Sequence, residues 1–181
     1  MSEKERAIGS GVGLACGDAL GAPVESSPNH SPHSPNPFVY IDVIPELLLK
    51  KDLVTELLGG GWHNIEKGTV TDDTEMDLCG ARSIVECKGF DPANCARHFL
   101  SWYQDKPIGI GGTVRAAMEQ LQAGVPWDKA GYNSIGIGSL GNGSVMRARP
   151  WGVYRFKAIG ALIDETRIQS RITHPHPDCC D

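Results

Sequence analysis

The chain lacks any apolar run near the roughly 20 residues that a bilayer crossing requires. Its opening Met-Ser-Glu-Lys-Glu-Arg lacks the apolar core of a secretory signal. The expectation is therefore a soluble, cytoplasmic protein without membrane contact. A basic surplus is also missing: 17 Lys and Arg face 22 Asp and Glu, for a formal net charge of −5. With no Lys/Arg stripe, no nucleic-acid partner is expected. Six cysteines are present, but no C-x-x-C pair, and the adjacent Cys179-Cys180 cannot easily share one tetrahedral ion. Zinc is thus not expected, and reduced thiols fit better than disulfides. No G-x-x-x-x-G-K-[ST] phosphate loop occurs, which argues against nucleoside triphosphate hydrolysis. No stretch repeats the period-two alternation of a sheet, and no internal repeat is evident.

The 181 residues, 40% of them apolar, suffice for one domain with its own core, and the patterning predicts an all-α class. Ile8 to Ala22 reads as a helix whose many Gly and Ala residues suit close, buried packing. Residues 26–37 are rich in Ser, Pro and Asn and read as a loop, in which His30 and His33 are plain polar residues rather than ligands. A helix is expected over 44–58, stopped by Gly59-Gly60-Gly61. Another starts at Thr71 or Asp72 and runs to about Lys88, with Asp72 and Glu75 spaced as in a capping box and Met76, Cys79, Ser83 and Cys87 on one face. Asp91-Pro92 supplies an N-cap and a proline at the first helical position. Thr113 opens a helix with Val114, Ala117, Met118 and Leu121 turned inward, and Gly124 stops it. Tyr132 to Ser144 reads as a flexible Gly/Ser/Asn loop able to line a site. A last helix is expected from Ala158 to about Ser170.

Four segments carry candidate chemistry. Thr71-Asp72-Asp73-Thr74 sets two carboxylates and two hydroxyls at a helix start, hard oxygens of the kind magnesium prefers, although acids and threonines also serve there as plain caps. Gly17-Asp18-Ala19-Leu20-Gly21 leads to Glu25, and taken alone these acids read as a satisfied buried Asp and a surface Glu. Asn142-Gly143-Ser144-Val145-Met146-Arg147 offers amides and a hydroxyl suited to phosphate or ribose, and Gly109-Ile110-Gly111-Gly112-Thr113 is a second glycine-rich loop before a helix. His174, between Thr173 and Pro175, can titrate or hydrogen-bond a ligand. His176 has no further support.

These segments, in this order, resemble the N-terminal part of the ADP-ribosylglycohydrolase family, which includes dinitrogenase reductase-activating glycohydrolase-like and ADP-ribosylarginine hydrolase-like members. The resemblance implies a compact helical fold with a binuclear Mg²⁺ (or Mn²⁺) site and hydrolysis that releases ADP-ribose from a modified protein side chain. It assigns Thr71, Asp72 and Asp73 to the metal and Glu25 and Asp73 to catalysis. To the substrate it assigns Gly111, Gly112, Asn142, Gly143, Ser144, Met146 and His174. Two departures stand out. No Asp-x-Asp occurs anywhere, so the family's second metal motif, Asp-x-Asp-Thr, is missing, and Gly109 stands where the family usually has an Asp. The expectation is a single, incomplete domain over 1–181 that lacks the C-terminal helices. Its exposed apolar surface would then favour self-association or a complementing chain. Two alternatives to an enzyme are a non-catalytic ADP-ribose-binding module and a helical interaction domain.

Overall fold

The computed structural model describes residues 1–24, 56–57, 59–60, 64–134 and 140–180. Eight α-helices are found among them: α1 (Glu3–Gly21), α2 (Asp72–Cys87), α3 (Pro92–Gln104), α4 (Gly112–Gln122), α5 (Trp127–Ser134), α6 (Arg149–Arg155), α7 (Ile159–Arg171) and α8 (Pro177–Cys180), with a 3₁₀ turn at Ala22–Val24. The fold is all-α. Among the described residues the extended pairing is one isolated antiparallel bridge, Gly60 with Ile65.

The chain divides into two compact units, Met1–Ala15 with Thr71–Asp181, and Cys16–Val70. In the smaller unit Ala19, Ala22 and Ile65 are buried, and the Gly60–Ile65 bridge is closed by two backbone hydrogen bonds of 2.8 and 3.0 Å. The loop expected over 26–37, with His30 and His33, lies outside the described residues. So does most of the helix expected over 44–58, of which Glu56 is a bend and Leu57 irregular backbone.

The core of the larger unit gathers Met76, Cys79 and Ile84 of α2, Cys95, Ala96, Phe99 and Trp102 of α3, Val114, Ala117 and Met118 of α4, Trp151 of α6, and Ile172 just after α7. Each large apolar side chain removed from water there contributes about 1.5–3 kcal/mol. Cys79 and Cys95 behave as small core hydrophobes, and burial pushes their thiols up to about 11 and about 12. The α2 and α6 helices approach closely because Gly80 has no side chain: a Cβ there would stand 2.7 Å from the Trp151 ring. Trp151 meets Phe90 edge to face, with ring centroids 5.6 Å apart.

Several expectations change in the structure. The α1 helix does form, but instead of being buried it leaves Ile8 55% and Val12 57% exposed. Glycines at 9, 11, 13 and 17 interrupt the apolar stripe that would otherwise seat it. The capping box drawn from Asp72 and Glu75 does not form. Thr71 is the N-cap, which puts Glu75 one place too far along, and its carboxylate accepts instead from Trp102 Nε1 at 2.6 Å. The loop expected from Tyr132 begins as helix, since α5 runs to Ser134. The short α6 and α8 went unread because seven and four residues hold too few turns to show a period. Elsewhere the boundaries agree. Asp91 Oδ1 accepts from Ala93 N and Asn94 N at 2.9 and 3.0 Å, Lys88 closes α2 in the left-handed conformation, and α7 spans Ile159–Arg171.

Candidate active site

The first group of candidate residues stands at the start of α2, where the first backbone N–H groups lack helical partners and the helix dipole favours acids. Thr71 is extended (φ −117°, ψ −161°), and its carbonyl accepts the first helical bond, from Glu75 N at 3.1 Å. Thr71, Asp72 and Thr74 are buried, and Asp73 is half-buried. Gly109 lies against this corner: a Cβ on it would stand 3.2 Å from Asp72 Oδ1 and 3.5 Å from Thr71 Cβ. Its φ of +81° is in the left-handed region that glycine adopts at no steric cost. Bare backbone thus meets the Asp72 carboxylate at the position where the sequence departs from its expected Asp.

From Gly109 the chain passes to Gly111, the N-cap of α4, and to Gly112, its first residue, both exposed. Thr113 then turns toward a second group. A Cβ on Gly141 would stand 3.1 Å from both Thr113 Oγ1 and His174 Nε2, and one on Gly143 would stand 3.2 Å from His174 Cε1. A single five-residue segment, 109–113, therefore touches the Thr71–Asp72 corner at one end and the surroundings of His174 at the other.

The second group is built on a tight turn. Val145 N donates to the Asn142 carbonyl at 3.0 Å, and Ala148 N to the Val145 carbonyl at 3.0 Å. Asn142 is exposed, Ser144 is buried, and Met146 packs against the core. Gln169 Nε2 holds the turn through the Ser144 carbonyl at 3.1 Å, and Ser144 Oγ donates to the Cys179 carbonyl at 3.4 Å. His174 is 1% exposed. Burial, followed by the nearby Arg147 charge, pushes its imidazole down to about 4. Its Nδ1 is 2.7 Å from Thr173 Oγ1, and Ser170 Oγ and Cys180 Sγ donate to its carbonyl. His176 is apart from this arrangement, its Nδ1 accepting from Asp178 N at 3.3 Å.

The structure thus brings Thr71 and Asp72 together with Gly109, and Gly141, Gly143 and Thr113 together with His174. Asp18 belongs to the smaller unit, and Glu25 lies outside the described residues. Sequence reasoning missed the polar network beneath the turn, made by Arg147, Gln169 and Thr173. Arg147 and Thr173 stand within recognisable motifs, while Gln169 gives no signal inside an ordinary helix.

Among the described residues no group of three or more His, Cys, Asp or Glu forms a metal cluster. Asp72, Asp73 and the Thr71 hydroxyl are hard oxygen donors. Such a set can serve magnesium, which keeps several waters and takes one or two protein carboxylates.

The model of the ADP-ribosylglycohydrolase family matches residues 1–181. The chain belongs to that family. Within it, the ADP-ribosyl-[dinitrogen reductase] glycohydrolase of Rhodospirillum rubrum is 32% identical over 97% of this chain and 53% of the relative. The ADP-ribosylarginine hydrolase Tri1 of Pseudomonas putida is 30% identical over 97% of this chain and 44% of its own length. A solved structure described as an ADP-ribosylglycohydrolase-related protein complex superposes with a TM-score of 0.69 at 32% identity, covering 98% of this chain and 52% of that one. The chain therefore spans about half the length of these ADP-ribosylglycohydrolase relatives. Among the described residues no helix is long and apolar enough to cross a membrane.

Proposed function

We propose that this chain takes part in magnesium-dependent hydrolysis of an ADP-ribosyl linkage on a protein side chain. The observation that carries the reading is the 109–113 segment, which lies against Asp72 at one end and against His174 and Gly141 at the other. An ion on the first group and a ribose or phosphate on the second would then be neighbours. Family membership and the names of the relatives support the substrate class.

In this reading Thr71, Asp72 and Asp73 hold magnesium, which when bound supplies positive charge for ribose oxygens and acidifies a water. Gly111 and Gly112 present backbone N–H groups at the start of α4, where an anionic phosphate is favoured. Asn142, Gly143, Ser144 and Met146 line the ribose side, and His174 donates a hydrogen bond to the ligand. Asp73 and Glu25 are the candidates to take a proton from water as positive charge develops at the anomeric carbon. The deciding experiment is release of ADP-ribose from an ADP-ribosylated arginine peptide. Release should require magnesium, stop with chelator and fall at least a hundredfold in Asp72→Ala; release that is indifferent to both overturns the reading.

One observation favours a second reading, a module that binds ADP-ribose without turnover. Gly109 brings bare backbone, and no carboxylate of its own, against Asp72. Retained ADP-ribose binding without release, in the presence of magnesium, selects that reading.

A further inference from the structure

Arg147 is fully buried, and its described partners include no carboxylate. Its Nε donates to Gln169 Oε1 at 2.9 Å, and its Nη2 donates to the Gln169 carbonyl at 3.1 Å and to Thr173 Oγ1 at 2.7 Å. Nη1 lies 3.7 Å from Met76 Sδ, and the guanidinium carbon stands 4.4 Å from the centre of the Phe99 ring. A buried cation without a counter-ion is costly, and hydrogen bonds to neutral oxygens offset only part of that cost. Such an arrangement calls for a role that a Leu or Met at 147 would not fill.

The direction of the hydrogen bonds supplies one. A guanidinium only donates, so the Thr173 oxygen accepts from it. The Thr173 hydroxyl has a single proton to give, and among the described residues the acceptor it reaches is His174 Nδ1, at 2.7 Å. The hydroxyl oxygen has a second lone pair that an Nδ1–H could fill, but that arrangement leaves the buried Thr173 proton without an acceptor among the described residues; with the proton directed to Nδ1, a neutral imidazole holds its own on Nε2. Nε2 faces the turn, 3.1 and 3.4 Å from where Cβ atoms would stand on Gly141 and Gly143. Glycine at both places keeps those two positions from placing a side chain against the ring edge, with Thr113 Oγ1 3.1 Å from the same point on Gly141. Gln169 links the same cation to the turn, because its Oε1 accepts from Arg147 while its Nε2 donates to the Ser144 carbonyl.

We propose that Arg147 and Thr173 are positioning residues: they set the His174 ring in its Nε2–H form and so present a directed N–H donor at the Gly141–Gly143 turn. The ligand this suits offers an acceptor oxygen, as the phosphates and ribose hydroxyls of ADP-ribose do, and that part of the inference rests on the functional reading above. At neutral pH the ring is uncharged, consistent with its burial beside Arg147. The selection is then geometric: a neutral donor of fixed direction rather than a mobile cation.

The test is ¹⁵N NMR of the histidine side chains in the full chain at pH 7, with the His174 signal assigned by its loss in His174→Gln. The expected result is an Nε2–H ring in the wild type, a mixture of both tautomers in Thr173→Val, and return of the Nε2–H form in Thr173→Ser. Thr173→Ala serves if the Val variant does not fold, and the wild-type spectrum decides on its own if it shows Nδ1–H. That result, or a tautomer unchanged in a folded Thr173→Val or Thr173→Ala, overturns the proposal. A titration with ADP-ribose adds a readout in which Thr173→Val weakens binding by about tenfold, the loss expected for one directed bond to a charged group, while Thr173→Ser binds as the wild type does. A wild type with an Nε2–H ring that fails to bind ADP-ribose sinks the functional reading and leaves the positioning role supported.

Discussion

Gly109 is where this chain spends a missing side chain. Its left-handed φ of +81° and the 3.2 Å from its would-be Cβ to Asp72 Oδ1 make any substitution there felt at the α2 corner. Gly109→Asp should lower the melting temperature in chelator, because an L residue in left-handed backbone costs about 1–2 kcal/mol and the new charge meets Asp72. Millimolar magnesium should restore most of that loss in a thermal melt. No response to magnesium would mean that Asp72 does not face an ion. The His174 ring provides a second residue-scale prediction. Its folded value, near 4, lies below the ordinary 6.5, so the folded state binds fewer protons than the unfolded chain between those values. The associated stability is present above pH 6.5 and is lost as the pH falls toward 4, a change of up to about 3 kcal/mol. Urea unfolding across that range should show the decline, and His174→Gln should flatten it.

At the scale of elements, capping and close approach make different demands. Asp91→Ala removes two bonds at the start of α3 and should cost about 1 kcal/mol by urea unfolding, with little effect on the ends of the other helices. Gly131→Ala should cost more. Its Cβ would stand 2.6 Å from the Arg171 carbonyl and 3.1 Å from that of Ile172, and backbone does not yield as the end of a flexible side chain does. What was legible in the sequence follows the same division. The α2, α3 and α4 helices were readable because each runs 11 residues or more and buries one face, α7 by its 13-residue length, and the proline after Asp91 marked a start. The α6 helix was not, since Arg149-Pro150-Trp151 sits there for Asp77 and for the core rather than for a helical period. Arg149 pairs with Asp77 across to α2, a long-range contact that leaves no trace in local spacing. Of the candidate site, Thr71-Asp72-Asp73-Thr74 and His174 could be found by residue type and order. The approach of Gly109 to Asp72 and the Arg147–Thr173–His174 chain could not, because both depend on how helices far apart in sequence pack.

The chain belongs to the ADP-ribosylglycohydrolase family and spans about half the length of the relatives it matches. If both candidate groups serve one ligand, ADP-ribose at a hundred times its dissociation constant should stabilise the folded chain by about 2.7 kcal/mol. For a protein of this size that is a rise of roughly 5–10 °C in melting temperature, measurable by calorimetry. A ligand that leaves the melt unchanged at saturating concentration does not bind the folded state in preference to the unfolded one.

The segment from Gly109 to Thr113 gives the two groups a shared support only five residues long. An ion that pulls on its first residue and a nucleotide that settles against its last would each alter the footing of the other. Linkage then requires reciprocity: whatever factor magnesium contributes to the affinity for ADP-ribose, ADP-ribose must return to the affinity for magnesium. Even with catalysis absent, the two occupants would therefore report on one another through a thermodynamic cycle.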